Sequence, residues 1–295
     1  MIPAGAPGPA ECVINISEGR DQMVIDTVAS AGGDQLLDVH SDAIHHRSVL
    51  TLAGPLADVE AAARRVAVAA VAAIDLTNHR GVHPRMGVVD VVPFVPLVGN
   101  DGTATGWDAV LAARQSYAAW SGATLGVPCF TYGPDRSLPE VRSGAFTTLA
   151  SDTGPPGPHP TAGATAVGAR SVLIAYNVWI EVQPTAVRTG GDHVVTVARD
   201  LAGQLRQPGL RTLGLAVGSA AQVSCNVVDP GLVTLSHIYD AVDAGARTHG
   251  CKATRGELVG LLPLSALTSI PASRWAKLGL TAEDSIEFRL DTRRG

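Results

Sequence analysis

Apolar positions along the chain switch between two periods, and the switches mark the elements. Glu11 to Ser17 is a short apolar run, the length of a strand, closed by Glu18-Gly19. Asp21 to Ala31 carries Met23, Ile25, Val28 and Ala31 at helical spacing, and Gly32-Gly33 stops it. Leu36 to Val39 and Ser48 to Ala53 read as strands. Gly54-Pro55 leads into a long helix with Val59, Ala63, Val66, Ala70 and Ile74 on one face. Val88 to Leu97 is a strongly apolar strand, Trp107 to Leu125 is helical, and Cys129 to Tyr132 is a strand ended by Gly133-Pro134. From Thr153 to Gly168, Gly, Pro, Ala and Thr dominate, which predicts a loop. A second alternation follows: a strand within Ser171 to Val182, a helix over 192–205, strands near Thr212 to Val217 and Gln222 to Val228, a helix near Leu235 to Ala244, and the apolar segment Leu258 to Leu264. Strands alternating with helices in both halves predict an α/β (α+β) chain of two units, each with helices packed on a sheet, meeting near residue 170.

The 295 residues fit two domains at about 150 each. Aromatics are only 4%, so the core rests on Val, Ile, Leu and Ala. The net charge is −5, with no basic stripe, which argues against a nucleic-acid partner. The longest apolar segment, Val59 to Leu76, contains or borders on Glu60, Arg64, Arg65 and Asp75, so no membrane span is expected. Met1 to Ala10 lacks the basic start and apolar stretch of a signal peptide. Cys12, Cys129, Cys225 and Cys251 are scattered with no CxxC, as in reduced thiols of a cytoplasmic protein.

Two segments have the composition of chemical sites. His79 to Gly87 holds two His, two Arg, two Gly and a Pro in nine residues between the long helix and a buried strand. His83 precedes Pro84, which biases it out of a helix, and a neutral imidazole there can exchange protons near neutral pH. His79 and Arg80 read as a solvated helix end answering the helix dipole. His40, His45 and His46 flank Ser41-Asp42, and with His83 they could form a metal cluster for a hydrolase. Their spacing is loose and no HExxH pattern occurs, so no metal is expected. The second segment is Gly154, Pro155, Pro156, Gly157, Pro158, His159, Pro160, Thr161, Ala162 and Gly163. Its glycines admit close backbone approach to a ligand and its prolines stiffen it, but an interdomain linker would look the same.

Glu11-Cys12-Val13-Ile14-Asn15-Ile16-Ser17-Glu18-Gly19-Arg20 resembles the N-terminal motif of the glutamate formimidoyltransferase family, where Asn-Phe-Ser-Glu-Gly is usual. His83-Pro84-Arg85-Met86-Gly87 with Asp90, Gly163 to Arg170, Leu173 to Asn177, Gln222 to Asn226 and Glu257 to Pro263 resemble further motifs of that family, in order along nearly the whole chain. The resemblance implies two tandem ferredoxin-like subdomains, 1–169 and 170–295, enclosing a folate tunnel, and a homodimer. It implies transfer of a formimidoyl group between N5 of tetrahydrofolate and an amine, with 5-formimidoyltetrahydrofolate as co-substrate. The family's catalytic His falls on His83 and its folate loop on Gly154 to Gly163.

Departures cluster nearby. Where the family has an acidic catalytic partner this chain has His40, an Asn is His46, Ile44 replaces a polar residue and Ile16 a Phe. His40 is then a second catalytic candidate, and Asn15, His46, Arg47 and Arg85 are candidates for substrate binding, the arginines by bidentate pairing with a carboxylate. Two acceptors stay open, glutamate and a different amine of a biosynthetic pathway. So does a folate-binding protein without catalysis.

Overall fold

The computed structural model describes residues 8–81, 84–99, 102–183 and 192–293. The chain divides into two compact units, one ending at Ser171 and one beginning at Val172.

The first unit opens with β1 (Pro9–Ile16), α1 (Gln22–Ser30), β2 (Leu36–Asp42), β3 (Arg47–Pro55), α2 (Leu56–Ala73) and β4 (Val89–Pro96). These strands lie in the order β2-β3-β1-β4. That is a βαββαβ unit, the split-βαβ or ferredoxin-like arrangement. Asp21 starts α1 by accepting from the amides of Met23 and Val24 with its side chain. α2 buries Val59, Ala62, Ala63, Val66 and Ala70 against Ile14, Leu50 and Leu52 of the sheet.

An extension follows: α3 (Trp107–Trp120), β5 (Cys129–Tyr132), α4 (Leu138–Gly144) and β6 (Thr165–Ala169). β6 pairs parallel to both β4 and β5, completing a six-stranded sheet ordered β2-β3-β1-β4-β6-β5. α3 joins the α2 side, burying Val110, Ala113 and Tyr117. α4 builds a separate cluster in which Val141 packs with Val91, Phe130, Tyr132 and Ala166.

β6 corrects the expected loop, which reaches only to Ala164. Thr-Ala-Val-Gly-Ala looks irregular by composition, but a strand buried on both faces needs small residues where rings cross it. A Cβ on Gly168 would lie 2.1 Å from the ring of Tyr132, its partner on β5. The predicted helix over Trp107 to Leu125 is α-helical only to Trp120; Ser121–Leu125 forms one wider π-type turn, ended by Gly126 at φ 64°.

The second unit contains β7 (Ile174–Val182), α5 (Asp192–Leu205), β8 (Leu210–Val217), β9 (Ala220–Val227), α6 (Leu235–Thr248) and β10 (Cys251–Val259). Its sheet runs β10-β7-β9-β8, all antiparallel, so it repeats the βαββαβ topology of the first. Tyr176, Val178, Ile180, Val223 and Cys225 face α5 and α6 in one core. β10 is legible in the sequence only from Leu258 onward. An edge strand leaves positions such as Thr254 and Arg255 in water, and Lys252 and Glu257, whose carboxylate accepts from Asn177, Trp179 and Gln222, further hide its period.

Candidate functional site

One end of the first sheet gathers the segments with chemical composition. β1 ends where β4 begins, because the two are antiparallel (Ile16 opposite Val89). β3 starts at that same end, so the β2–β3 turn, Ala43–His46, also lies there. β4 and β6 are parallel neighbours, which sets the lead-in to β4 (His79 to Val88) beside the lead-in to β6 (His159 to Ala164). The amide of Val88 donates to Ala162 O (2.9 Å) and that of Ala164 to Met86 O (3.0 Å). Ser17 Oγ donates to Gly87 O (2.8 Å) and Ser48 Oγ to Glu18 O (2.6 Å), tying β1 to β4 and to the turn.

Close backbone approach explains the glycines of these motifs. A Cβ on Gly19 would meet Asp42 O at 2.3 Å, and one on Gly87 would meet Ala164 O at 2.2 Å. Gly163 has φ 68° and would place a Cβ 2.3 Å from Met86 O.

Glu18 closes the loop after β1. Its Oε1 accepts from the amides of Gly19 (2.8 Å), Arg20 (2.7 Å) and Asp21 (3.1 Å) and lies 3.3 Å from His46 Nδ1. His46 sits in the turn at φ 51°, accepts from the Gly19 amide through Nδ1 (3.1 Å), and stacks on the His79 ring at 4.0 Å. Arg85 Nη1 is 2.7 Å from His79 Nε2. The same Nε2 lies 3.0 Å from the His46 carbonyl oxygen, so His79 joins the β2–β3 turn to Arg85. His79 ends a short 3₁₀ turn, Leu76–Asn78, rather than α2, which stops at Ala73, and its ring packs into this cluster.

The remaining candidates fall as follows. His40 and Asn15 share one cross-strand row, each opposite Val49, so both project from the same sheet face as Arg47 and Asp42. Asn15 Nδ2 donates to Val13 O (3.1 Å). Burial lowers the affinity of Arg47 for its proton, opposed by Asp90 and Asp42. In the segment Gly154 to Gly163, His159 Nδ1 accepts from the amides of Thr161 (3.3 Å) and Ala162 (3.0 Å), so this ring shapes its own loop. Gly154 adopts φ 82° and lies against Gly122, where either Cβ would strike the other backbone. His83 lies outside the described residues. Among the described residues no group of three or more His, Cys, Asp or Glu side chains is placed to hold a metal, and no helix is long and apolar enough to cross a membrane. All four thiols are free and buried; burial pushes Cys129 up to about 11 and Cys225 up to about 12, which keeps both protonated and poorly nucleophilic at neutral pH.

Sequence reasoning missed Glu18, Asp90 and Arg142 as anchors of this end of the sheet. The signal visible in the sequence was Asp90, a carboxylate inside an apolar run, and the fold leaves it only 1% exposed. Arg142, 52 residues away on α4, gave none.

Burial holds the His46 pKa below its ordinary 6.5, with the Glu18 carboxylate pulling the other way. The unfolded chain therefore takes up a proton near 6.5 that the folded chain resists, so this residue lowers stability as the pH falls below 6.5. Asn tolerates φ > 0 and can accept from Gly19, so His46→Asn is expected to flatten the fall of Tm with pH below 6.5. Identical Tm–pH curves for the two proteins would rule this out.

Comparison with known proteins agrees over both units. Residues 9–170 match the family model described as formiminotransferase domain, N-terminal subdomain, and residues 175–278 that of the formiminotransferase domain. The chain is similar to a glutamate formimidoyltransferase of Streptococcus pyogenes serotype M1, 35% identical over 279 residues, covering 88% of this chain and 91% of that protein. A glutamate formimidoyltransferase of Thermoplasma acidophilum is 31% identical over 280 residues, covering 88% and 90%. The formimidoyltransferase-cyclodeaminase of Sus scrofa is 33% identical over 287 residues, which are 89% of this chain but 51% of that protein, so the chain spans about half its length.

Proposed function

This chain belongs to the formiminotransferase-domain family, and on that premise we propose that it moves a formimidoyl group between N5 of tetrahydrofolate and the amino group of glutamate. The observation that carries this reading is the convergence, at one sheet end, of β1's Asn15 to Glu18, the segment after His83 and the end of the Gly154 to Gly163 loop. Those are the segments whose motifs resemble the family's N-terminal, catalytic and folate-binding motifs.

The reaction forms a bond from the amine nitrogen to the amidine carbon and breaks the bond from that carbon to N5. An ammonium proton must leave the attacking nitrogen, and one must arrive on the departing nitrogen. His83 is the proposed carrier, taking the first proton and returning it to the leaving nitrogen. The lead-in Pro84 to Gly87 is locked to both neighbouring strands, so a group on it is held rather than searched for. Gly154 to Gly163 is proposed to receive the folate through its backbone. Arg47 and His40, on one face with Asn15, are proposed to meet the acceptor, with Arg47 opposite a carboxylate.

Glutamate is favoured over another amine by a specific observation. His46, one of the departures, engages Gly19 and His79 with its ring, which supports reading it as part of the turn, and the relatives of known acceptor are named for glutamate. A homodimer, as the family resemblance implies, is part of this proposal. The test is to measure kcat/KM for glutamate, glycine, a polyamine and an aminoglycoside with 5-formimidoyltetrahydrofolate as donor. Glutamate should be the best acceptor, and saturating tetrahydrofolate should raise Tm by mass action. A better amine in the panel overturns the acceptor; no Tm shift and no binding heat overturn the folate assignment.

A further inference from the structure

We propose that Arg142 is a positioning residue of the transferase, acting through Asp90 and the Pro84 carbonyl on the segment that follows His83. The inference rests on the transferase reading above. Four groups close a ring. Arg142 Nη1 donates to Pro84 O (2.9 Å) and Nη2 to Asp90 Oδ2 (2.5 Å), while Asp90 Oδ1 accepts from the Met86 amide (2.6 Å). Two backbone points on either side of Arg85 are thereby tied to one buried carboxylate and one guanidinium.

Both anchors are rigid. Asp90 lies within β4, between β1 and β6. Arg142 sits on α4, which is fixed by a Ser137/Glu140 capping box and by Val141, wholly buried among Phe130, Tyr132 and Val91. Met86 packs on the same cluster. A surface ion pair contributes little, but Arg142 does more than pair. Its fork satisfies a carboxylate and a carbonyl at once, which a lysine ammonium on a flexible stem cannot reproduce. The extension that carries α4 therefore does more than widen the sheet: it reaches over and holds the segment after His83 from the other side.

The test compares wild type with Arg142→Lys, Arg142→Gln, Asp90→Asn and the Arg142→Gln/Asp90→Asn pair. Wild-type turnover is measured first, and its absence would count against the transferase reading rather than against Arg142. With turnover established, each single variant should keep the native circular dichroism spectrum and the folate KM and lose roughly 10–100-fold in kcat. The double variant should be no slower than the slower single one, since both break the same ring. Added guanidinium ion should restore part of the kcat of Arg142→Gln, and hydrogen exchange at the Met86 amide should quicken in every variant. If Arg142→Gln does not fold, Arg142→Lys, which keeps the charge, carries the same comparison. A kcat within twofold of wild type in a folded Arg142 variant, or a loss confined to KM, overturns the proposal.

Discussion

His83→Ala is expected to lower kcat by about 10²–10⁴-fold, the usual contribution of a positioned acid–base group. Folate affinity should be unchanged, because the proposed folate loop spans Gly154 to Gly163 and does not include this side chain. The loss should fall on kcat and kcat/KM alike, as for a group that acts only in the transition state. Imidazole in solution should recover a fraction of the rate in the variant, since the missing function is a proton carrier. A variant that turns over like wild type removes His83 from the reaction and leaves the proton transfers to a group such as His40.

Gly87→Ala should give a large loss of stability. The new Cβ would lie 2.2 Å from Ala164 O and 2.7 Å from Ala162 O, both main-chain atoms within the β6 lead-in. No rotamer relieves a clash with backbone. The β4 and β6 lead-ins would have to separate, breaking the bonds from Val88 N to Ala162 O and from Ala164 N to Met86 O. Overpacking of this kind costs roughly 1–3 kcal/mol or more. For a chain of this size each kcal/mol lowers Tm by about 2–4 °C. Activity should fall with it, because the same separation pulls the proposed folate loop from the proposed catalytic segment. Gly157→Ala is the control: its Cβ would meet nothing within 4 Å, so Tm should not move. Equal Tm values for the two variants would contradict this picture of the junction.

Much of this fold could be read from the residues. The βαββαβ alternation is visible in both halves because the inner strands and the amphipathic helices keep their periods. Cys12, Ile14 and Ile16 on β1, and Leu50 and Leu52 on β3, alternate along their strands and are all wholly buried. On α2, Val59, Ala63, Val66 and Ala70 keep the helical spacing and face the same core.

Three of the elements that were not legible show the physical reasons. β6 is built from small residues because Tyr132 crosses Gly168, so its composition imitates a loop. β10 is an edge strand with charged residues on its open positions. α4 is a seven-residue helix, too short to show a period. The site divides the same way. Segments that carry their own chemistry, such as His79 to Gly87, stood out. Groups that act by long-range contact did not: nothing near His79 in the sequence shows that the β2–β3 turn brings His46 against its ring, and Arg142 has no local sign that it reaches Asp90.

The most direct test of formimidoyl transfer follows the carbon itself. N-formimidoylglutamate labelled with carbon-13 in the formimidoyl group is mixed with tetrahydrofolate and the enzyme, and the label is tracked by NMR. The labelled carbon is expected on N5 of the folate in step with release of glutamate, with none appearing as free formamide or formate. Label released to water, or label that stays on glutamate while folate is bound, would contradict the transferase assignment.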